Sequence, residues 1–150
     1  MLRNMAGFRV QTLSARSAEA LFDAALDIHA HTASQSRSRE RVVSGPASGR
    51  LGLGDRVTWQ ARHFGLWWTM TAAVTEVEEP TRFVDEQVFG PFARFRHEHR
   101  FETVDGGTLM TDTIEFAAPF GLLGRMVAVL VLRPYLRRLI LQRGEFLARG

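Results

Sequence analysis

The chain has 150 residues, the size of one domain with a buried core, and we predict a single domain over residues 1–150. A hydrophobic fraction of 45% and a charged fraction of 23% exclude a disordered or collagen-like chain. The lack of cysteine and lysine excludes disulfides, thiolate chemistry and Schiff-base catalysis, and a net charge of +3 does not indicate a nucleic-acid partner.

The sequence shows no sign of export or of membrane insertion. Residues 1–10 lack the apolar core of a signal peptide, so we infer no export and expect a cytoplasmic protein. The longest apolar run, 126–132, is far shorter than the roughly 20 residues that a membrane-spanning helix needs. We therefore expect no stable membrane insertion.

The N-terminal part predicts one strand followed by short helices. Alternation over 8–11 indicates the strand, and a capping serine precedes a helix that begins near Ala18. We expect this helix to bend before His31 and to give way to a loop over 32–40. His29 and His31 face different directions on a helix, and we interpret both as ordinary solvated residues.

A hairpin follows, formed by strands over 56–63 and 66–74 around a two-residue turn at 64–65. The turn fixes the register, so the apolar sides of both strands fall on one buried face. The cross-strand pairs expected on that face are Trp59 with Met70 and Ala61 with Trp68. We interpret His63, at the end of the first strand, as a partly exposed edge residue, with a contact at the cavity mouth as the second interpretation.

Three more strands are predicted over 82–89, 94–102 and 108–116. The first has two open registers, one burying Phe83, Asp85, Gln87 and Phe89, the other burying Val84, Glu86 and Val88. The second alternates cleanly, with Phe95, His97, His99 and Phe101 on one side. A tight turn at 105–107 returns the chain and places Met110, Asp112, Ile114 and Phe116 beside the histidines.

From 120 to 147 the apolar residues predict one long helix, kinked at Pro134. Its broad apolar face is expected to include Leu122, Met126, Val129, Leu130, Leu136, Leu139, Ile140 and Leu147. Its outer side is expected to be basic and solvated, with Arg133, Arg137, Arg138 and Arg143. Strands grouped apart from helices indicate the α+β class, with a curved sheet gripping the last helix and a pocket between them.

The segments 54–65, 83–88, 90–92, 97–102 and 107–112 resemble the bacterial cyclase/dehydrase-like group of the SRPBCC superfamily, and the likeness covers about 7–148. That superfamily includes START lipid-transfer domains, birch-pollen-type allergens and aromatic polyketide cyclases. The resemblance implies a helix-grip fold: seven antiparallel strands around a long C-terminal helix, with two short helices after the first strand. It also implies a cavity for a hydrophobic or amphipathic ligand. Some relatives are fused to an epimerase-like dehydrogenase, which makes a dehydrogenase-like protein a candidate partner.

His97 and His99 lie two residues apart on one strand, so their rings share a face at about 6.5–7 Å. With Asp112 beside them, four interpretations are open: ligand contact, purely structural pairing, acid/base catalysis, and a two-His-one-carboxylate site for Fe(II) or Zn. We predict that the group orients the polar end of a ligand. We assign no metal, because the superfamily is usually metal-free, and no cofactor, because the chain has no GxGxxG motif.

The predicted function is binding of a small hydrophobic or amphipathic molecule, such as a lipid, a polyketide or an isoprenoid-like compound. The alternatives are a cyclase, aromatase or dehydratase that uses the same cavity, with His99 and Asp112 as catalytic residues, and a partner module for a dehydrogenase-like protein. The predicted ligand-binding residues are Trp59, Trp68, Met70, Asp85, Gln87, Phe89, Phe95, His97, His99, Phe101, Met110, Asp112, Ile114, Phe116, Met126 and Leu130.

Overall fold

The structure, a computed structural model, describes residues 5–150; residues 1–4, part of the segment judged to lack an export signal, lie outside them. The strands are β1 (Ala6–Ser14), β2 (Arg41–Ser44), β3 (Arg56–His63), β4 (Leu66–Glu78), β5 (Arg82–Phe89), β6 (Arg94–Val104) and β7 (Gly107–Ala117). The helices are α1 (Ala18–Leu26), α2 (Ile28–Ser34), α3 (Gly121–Val127) and α4 (Arg133–Arg149). A short 3₁₀ turn spans Ser36–Ser38, and a π-helical turn, Ala128–Leu132, joins α3 to α4.

The seven strands form one antiparallel sheet in the order β1-β7-β6-β5-β4-β3-β2. Helices α1 and α2 connect its two edge strands, and α4 packs against β1, α1 and α2. This arrangement confirms the predicted α+β helix-grip fold. Among the described residues, none of the helices combines the length and the apolar character needed to cross a membrane.

The hairpin of β3 and β4 has the predicted register, with Trp59 opposite Met70 and Ala61 opposite Trp68. Both turn residues, Phe64 and Gly65, have a positive φ, of 54° and 74°, as a two-residue hairpin turn requires. The strands therefore meet without a slip, and one face of each points to the interior.

The pairing of β6 with β7 is also as predicted, with His97 opposite Ile114 and His99 opposite Asp112. The two-residue turn at Asp105 and Gly106 sets this register. Two histidines and a carboxylate thereby enter the interior side by side from neighbouring strands.

Strand β5 follows the register that turns Phe83 and Asp85 inward, but the alternation does not persist to its end. The pairing with β4 slips between Gln87, opposite Ala72, and Phe89, opposite Thr71. Thr71 faces outward, so Phe89 does too and is 71% exposed. The prediction of Phe89 as a ligand-binding residue is therefore wrong. Between these two pairs β5 has one residue more than β4, so Phe89 points to the opposite face of the sheet from the one predicted.

The break between the first two helices comes earlier than predicted. Asp27 ends α1 and caps α2, its side chain accepting a hydrogen bond of 2.8 Å from the backbone amide of Ala30. Helix α2 then runs through His31 to Ser34, where a bend and a loop were expected. The segment was predicted as a loop because its composition is polar, but Asp27 caps a separate helix there.

The C-terminal helix is interrupted where Pro134 enters the first turn of α4. Proline lacks the amide hydrogen that would bond the carbonyl four residues earlier, and the wide π-helical turn precedes it. The predicted apolar face of the first half is not covered: Leu122, Met126 and Leu130 are 75%, 52% and 69% exposed. Met126 and Leu130 were predicted to bind ligand, and the structure turns them outward instead.

Two apolar clusters hold the helices on the sheet. Under α1, Phe22 meets Phe83 and Phe101 edge-to-face, at ring distances of 5.6 Å and 5.7 Å. At the other end, Ile114 and Phe116 pack beneath the π-helical turn. The cavity described next borders both clusters.

Candidate ligand-binding cavity

A cavity of about 660 Å³ lies between the sheet and the C-terminal helices. This volume falls within the range typical of small-molecule sites. Strands β3 to β6 form one wall, α3, α4 and the turn between them form the opposite wall, and α1 and α2 close one end. Most of the lining is apolar, as in sites for hydrophobic ligands.

Seven of the predicted ligand-binding residues line the cavity. They are Trp59, Trp68, Met70, Asp85, Phe95, His97 and His99. The six on β3, β4 and β6 follow the two hairpin registers that the tight turns predict. Asp85 lies on β5, where the structure has one of the two registers that the sequence left open.

The other predicted ligand-binding residues do not line the cavity. Four of them pack inside the two apolar clusters and do not reach the cavity: Phe101, Met110, Ile114 and Phe116. Gln87 is bound to the backbone of Phe92, donating from Nε2 to the carbonyl at 2.8 Å and accepting from the amide at 3.2 Å. Gln87 thereby positions Phe92, which does line the cavity.

The cavity is also lined by two histidines, His31 and His63, that are not among the predicted ligand-binding residues. His31, interpreted as solvated, stacks on Trp59 at 4.2 Å and has its Nε2 2.5 Å from Glu40 Oε1. His63, for which a cavity-mouth contact was the second interpretation, has Nδ1 2.6 Å from the hydroxyl of Tyr135, and burial lowers its pKa. The partners Trp59 and Tyr135 lie on other elements, so the sequence around each histidine does not identify them.

A polar cluster, which consists of Asp85, His97, His99, Asp112 and Arg143, lies on the cavity wall and just behind it. His97 Nε2 is 2.7 Å from Asp112 Oδ1, and His99 Nε2 is 2.6 Å from Asp85 Oδ2. His99 Nδ1 also lies 3.3 Å from Asp112 Oδ1. Asp112 itself does not line the cavity; it holds both histidines from behind.

The two imidazole rings are fixed by stacking as well as by hydrogen bonds. The His97 and His99 rings are 3.6 Å apart and nearly parallel, and Phe83 covers the other face of His99 at 4.0 Å. His99 is therefore held between two rings while its nitrogens face carboxylates. This leaves Asp85 as the member whose side chain remains accessible, at 27%.

Arg143 is part of the polar cluster, which corrects its prediction as an outer, solvated residue. It is 4% exposed, with Nη1 3.5 Å from His99 Nδ1 and 3.8 Å from Asp112 Oδ1. Its Nη2 donates to the carbonyl of Ala25 at 3.2 Å. The signal was present in the sequence, because Arg143 follows Ile140 by three residues and precedes Leu147 by four, on the apolar stripe of α4.

The polar cluster separates charged from neutral members. Burial raises the pKa of Asp85, but the charge and hydrogen bond of His99 outweigh it and bring the value to about 2. Burial likewise opposes ionisation of Asp112, yet hydrogen bonds from His97 and His99 keep its pKa well below the usual range. Burial and the nearby His99 lower the pKa of His97 to about 4. At pH 7 the cluster therefore contains two carboxylates, a neutral His97 and the Arg143 guanidinium.

Asp85, His97 and His99 also meet the distance requirement for one metal ion, since one ligand atom of each lies within 4.8 Å of the others. This set contains Asp85 in place of the Asp112 that the sequence suggested. Arg143 lies against His99 and would repel a cation there. The short histidine–carboxylate contacts favour a hydrogen-bonded network over a metal site.

Solved structures share this fold at low sequence identity. TTHA0849 from Thermus thermophilus is 16% identical with a TM-score of 0.78, covering 96% of this chain and 95% of that one. Ginseng major latex-like protein 151 from Panax ginseng is 13% identical with a TM-score of 0.72, covering 97% and 96%. The Zhui aromatase/cyclase from Streptomyces sp. R1128 is 16% identical with a TM-score of 0.68, covering 95% and 93%.

A family model gives the relationship at the level of sequence. No curated protein matches the chain. Residues 5–144, most of the chain, match the family described as polyketide cyclase / dehydrase and lipid transport. This match confirms the resemblance to the cyclase/dehydrase-like SRPBCC group that the strand motifs suggested. The chain therefore belongs to the polyketide cyclase / dehydrase and lipid transport family.

Proposed function

We propose that the protein binds a small apolar molecule that carries a hydroxyl or another hydrogen-bond donor at one end. The observation that supports this most directly is an ionised carboxylate, Asp85, on the wall of an otherwise apolar cavity of about 660 Å³. Burial of apolar surface supplies the affinity, at about 25 cal/mol per Å². The carboxylate selects and orients the polar end of the ligand.

The charges of the polar cluster favour a ligand whose polar end is a neutral hydrogen-bond donor over a ligand that ends in a carboxylate. Two carboxylates, Asp85 and Asp112, face one permanent positive charge, the guanidinium of Arg143, and His99 lies between the two carboxylates. A ligand carboxylate near Asp85 would add a third negative charge in a site of low dielectric constant, where repulsion is strong. A neutral hydroxyl donates to Asp85 without this cost, so phenols and alcohols are preferred over fatty acids.

Titration calorimetry at pH 7 with 2-naphthol and 2-naphthoate tests this, because the two probes share a ring system and differ only in the polar group. We expect saturable binding of 2-naphthol and binding of 2-naphthoate at least roughly tenfold weaker. The Asp85→Asn variant should reduce this difference. Equal binding of both probes by the unmodified protein would contradict the proposed preference.

A cavity-filling variant tests whether 2-naphthol binds in the cavity. Ala72 lines the cavity from β4, and Ala72→Phe places a ring in the open volume. The matched control is Ala33→Phe, on the exposed face of α2. We expect only the first to abolish 2-naphthol binding, with both variants retaining cooperative unfolding. Unchanged affinity in Ala72→Phe would mean that the ligand binds elsewhere.

A cyclase or aromatase activity is the second candidate, favoured by the carboxylate–imidazole pairs on the cavity wall. His99 and Asp112 were the predicted catalytic pair, but Asp112 lies behind the wall. We propose instead that Asp85, held by His99, orients and electrostatically stabilises a reactive chain that the cavity folds. Product formation from a poly-β-keto thioester should require Asp85, and Asp85→Asn should keep binding while losing turnover. The dehydrogenase-like partner stays a prediction, for which co-purification is the test.

A further inference from the structure

We propose that the rim of the cavity mouth docks on an anionic lipid bilayer. The docking face is defined by exposed apolar side chains on two parts of the chain, the segment 120–130, which contains α3, and the tip of the β3–β4 hairpin. Its members are Phe64, Leu66, Trp67, Phe120, Leu122, Leu123, Met126 and Leu130. This inference goes beyond the proposed ligand binding, and it can be tested on the protein without ligand.

The helical part of the docking face is apolar where a solvated helix would be polar. Phe120 is 84% exposed, Leu122 75%, Leu123 68% and Leu130 69%. Side chains three and four positions apart share one side of a helix, so Leu123, Met126 and Leu130 form a continuous stripe. Contiguous exposed apolar surface of this kind marks an interaction site.

The hairpin tip continues this surface across the cavity mouth. Leu66 is 59% exposed and Trp67 44%, and the Phe64 ring lies 4.6 Å from the ring of Tyr135 on α4. Phe64 and Leu123 belong to the docking face and also line the cavity. The apolar rim therefore encloses the opening through which a hydrophobic ligand would pass.

The charges beside the docking face are of one sign. From 116 to 144 the chain contains five arginines and no acidic residue. Arg125, Arg137 and Arg138 are exposed next to the apolar stripe, and the Arg41 guanidinium lies 5.0 Å above the Trp67 ring. Apolar side chains flanked by arginines match the interface of a bilayer that contains anionic lipids.

The same charges argue against a second copy of the chain as the occupant. A twofold contact brings the same surface of both subunits together. The arginines of one α3–α4 segment would then face those of the other, with no acidic residue in 116–144 to pair with them. An anionic bilayer supplies the complementary charge and the apolar layer at once.

Vesicle co-sedimentation of the ligand-free protein tests the proposal, with vesicles of phosphatidylcholine alone and of phosphatidylcholine with phosphatidylglycerol. We expect binding to the anionic vesicles that weakens in high salt, and little binding to the neutral ones. The double variant Leu66→Ser/Leu122→Ser should lower the partition coefficient roughly a hundredfold. Neither residue lines the cavity, so 2-naphthol binding should persist in this variant.

The matched control is Leu13→Ser/Leu53→Ser, which changes two leucines that are 71% and 67% exposed outside the docking face. It should bind anionic vesicles like the unmodified protein. An equal loss in both double variants, or no binding to anionic vesicles, would overturn the proposal. A stable dimer in sedimentation velocity that only Leu66→Ser/Leu122→Ser dissociates would assign the docking face to a second copy instead.

Discussion

Arg143→Met is the substitution that most directly tests the buried polar cluster. The Arg143 and Asp112 side chains are 5% and 6% exposed, and Nη1 lies 3.8 Å from Oδ1. Methionine keeps the apolar stem and much of the volume of arginine. The substitution therefore leaves little empty space, and lost packing contributes little to the change in unfolding free energy. The main effect is that Asp112 loses its nearest permanent positive charge, and the carbonyl of Ala25 loses a donor.

Breaking one side of a buried ion pair costs about 3–5 kcal/mol of unfolding free energy. For a chain of this length each kcal/mol lowers Tm by about 2–4 °C, so we expect a decrease of about 10 °C. Adding Asp112→Asn removes the charge that the first substitution leaves unpaired. The cost of the double variant should therefore be smaller than the sum of the two single costs by at least ~1 kcal/mol.

Urea unfolding at pH 7, followed by tryptophan fluorescence, gives the four free energies of this cycle. The m-value should stay constant across the variants, which shows that the same surface is exposed on unfolding. Additivity within about 0.5 kcal/mol would refute the assignment of Arg143 as the counter-charge of Asp112. So would an Arg143→Met variant as stable as the unmodified protein.

Three further outcomes follow from local geometry. The pKa of His97 is about 4 in the folded protein, whereas its ordinary value is 6.5. As the pH falls, His97 therefore binds a proton in the unfolded chain at a higher pH than in the folded protein, and the free energy of unfolding decreases. Urea unfolding should show a loss of about 2 kcal/mol between pH 7 and 5, and His97→Gln should flatten this slope. Gly107→Ala should lower Tm strongly in thermal unfolding, because the added Cβ would lie 1.9 Å from the carbonyl oxygen of Ser14. Ser17→Ala should cost about 1 kcal/mol of unfolding free energy in urea, since its side chain accepts the amide hydrogen of Ala20 at 3.1 Å; an unchanged midpoint would contradict that cap.

The strands could be predicted well because two tight turns fix their registers. Phe64-Gly65 sets β3 against β4, and Asp105-Gly106 sets β6 against β7. Once a two-residue turn is placed, every later pair follows, and the period of two assigns each side chain to a face. His97 and His99 could be placed on the cavity side from sequence for this reason.

The errors have two sources: a strand slip that depends on long-range pairing, and helix positions that were assigned by residue type. The slip in β5 that exposes Phe89 depends on its pairing with β4, which the β5 sequence does not contain. Arg143 was assigned to solvent by its charge, although its place on the apolar stripe of α4 puts it inside. Leu122, Met126 and Leu130 were assigned to the apolar face by their hydropathy, and the structure leaves them exposed. In both helix errors the assignment followed residue type alone.

The polar cluster is best explained by what it presents to the cavity rather than by stability. A well-packed apolar core of equal volume is often as stable as a buried ionic network, because taking charges out of water is costly. The rings of Phe83, His99 and His97 are stacked as in an aromatic core, and a phenylalanine in place of either histidine would also fill this space. What imidazole adds is a fixed hydrogen-bond donor to Asp85, which keeps that carboxylate ionised and in place on the cavity wall. The burial cost of the cluster is consistent with a role in selecting ligands by their polar end.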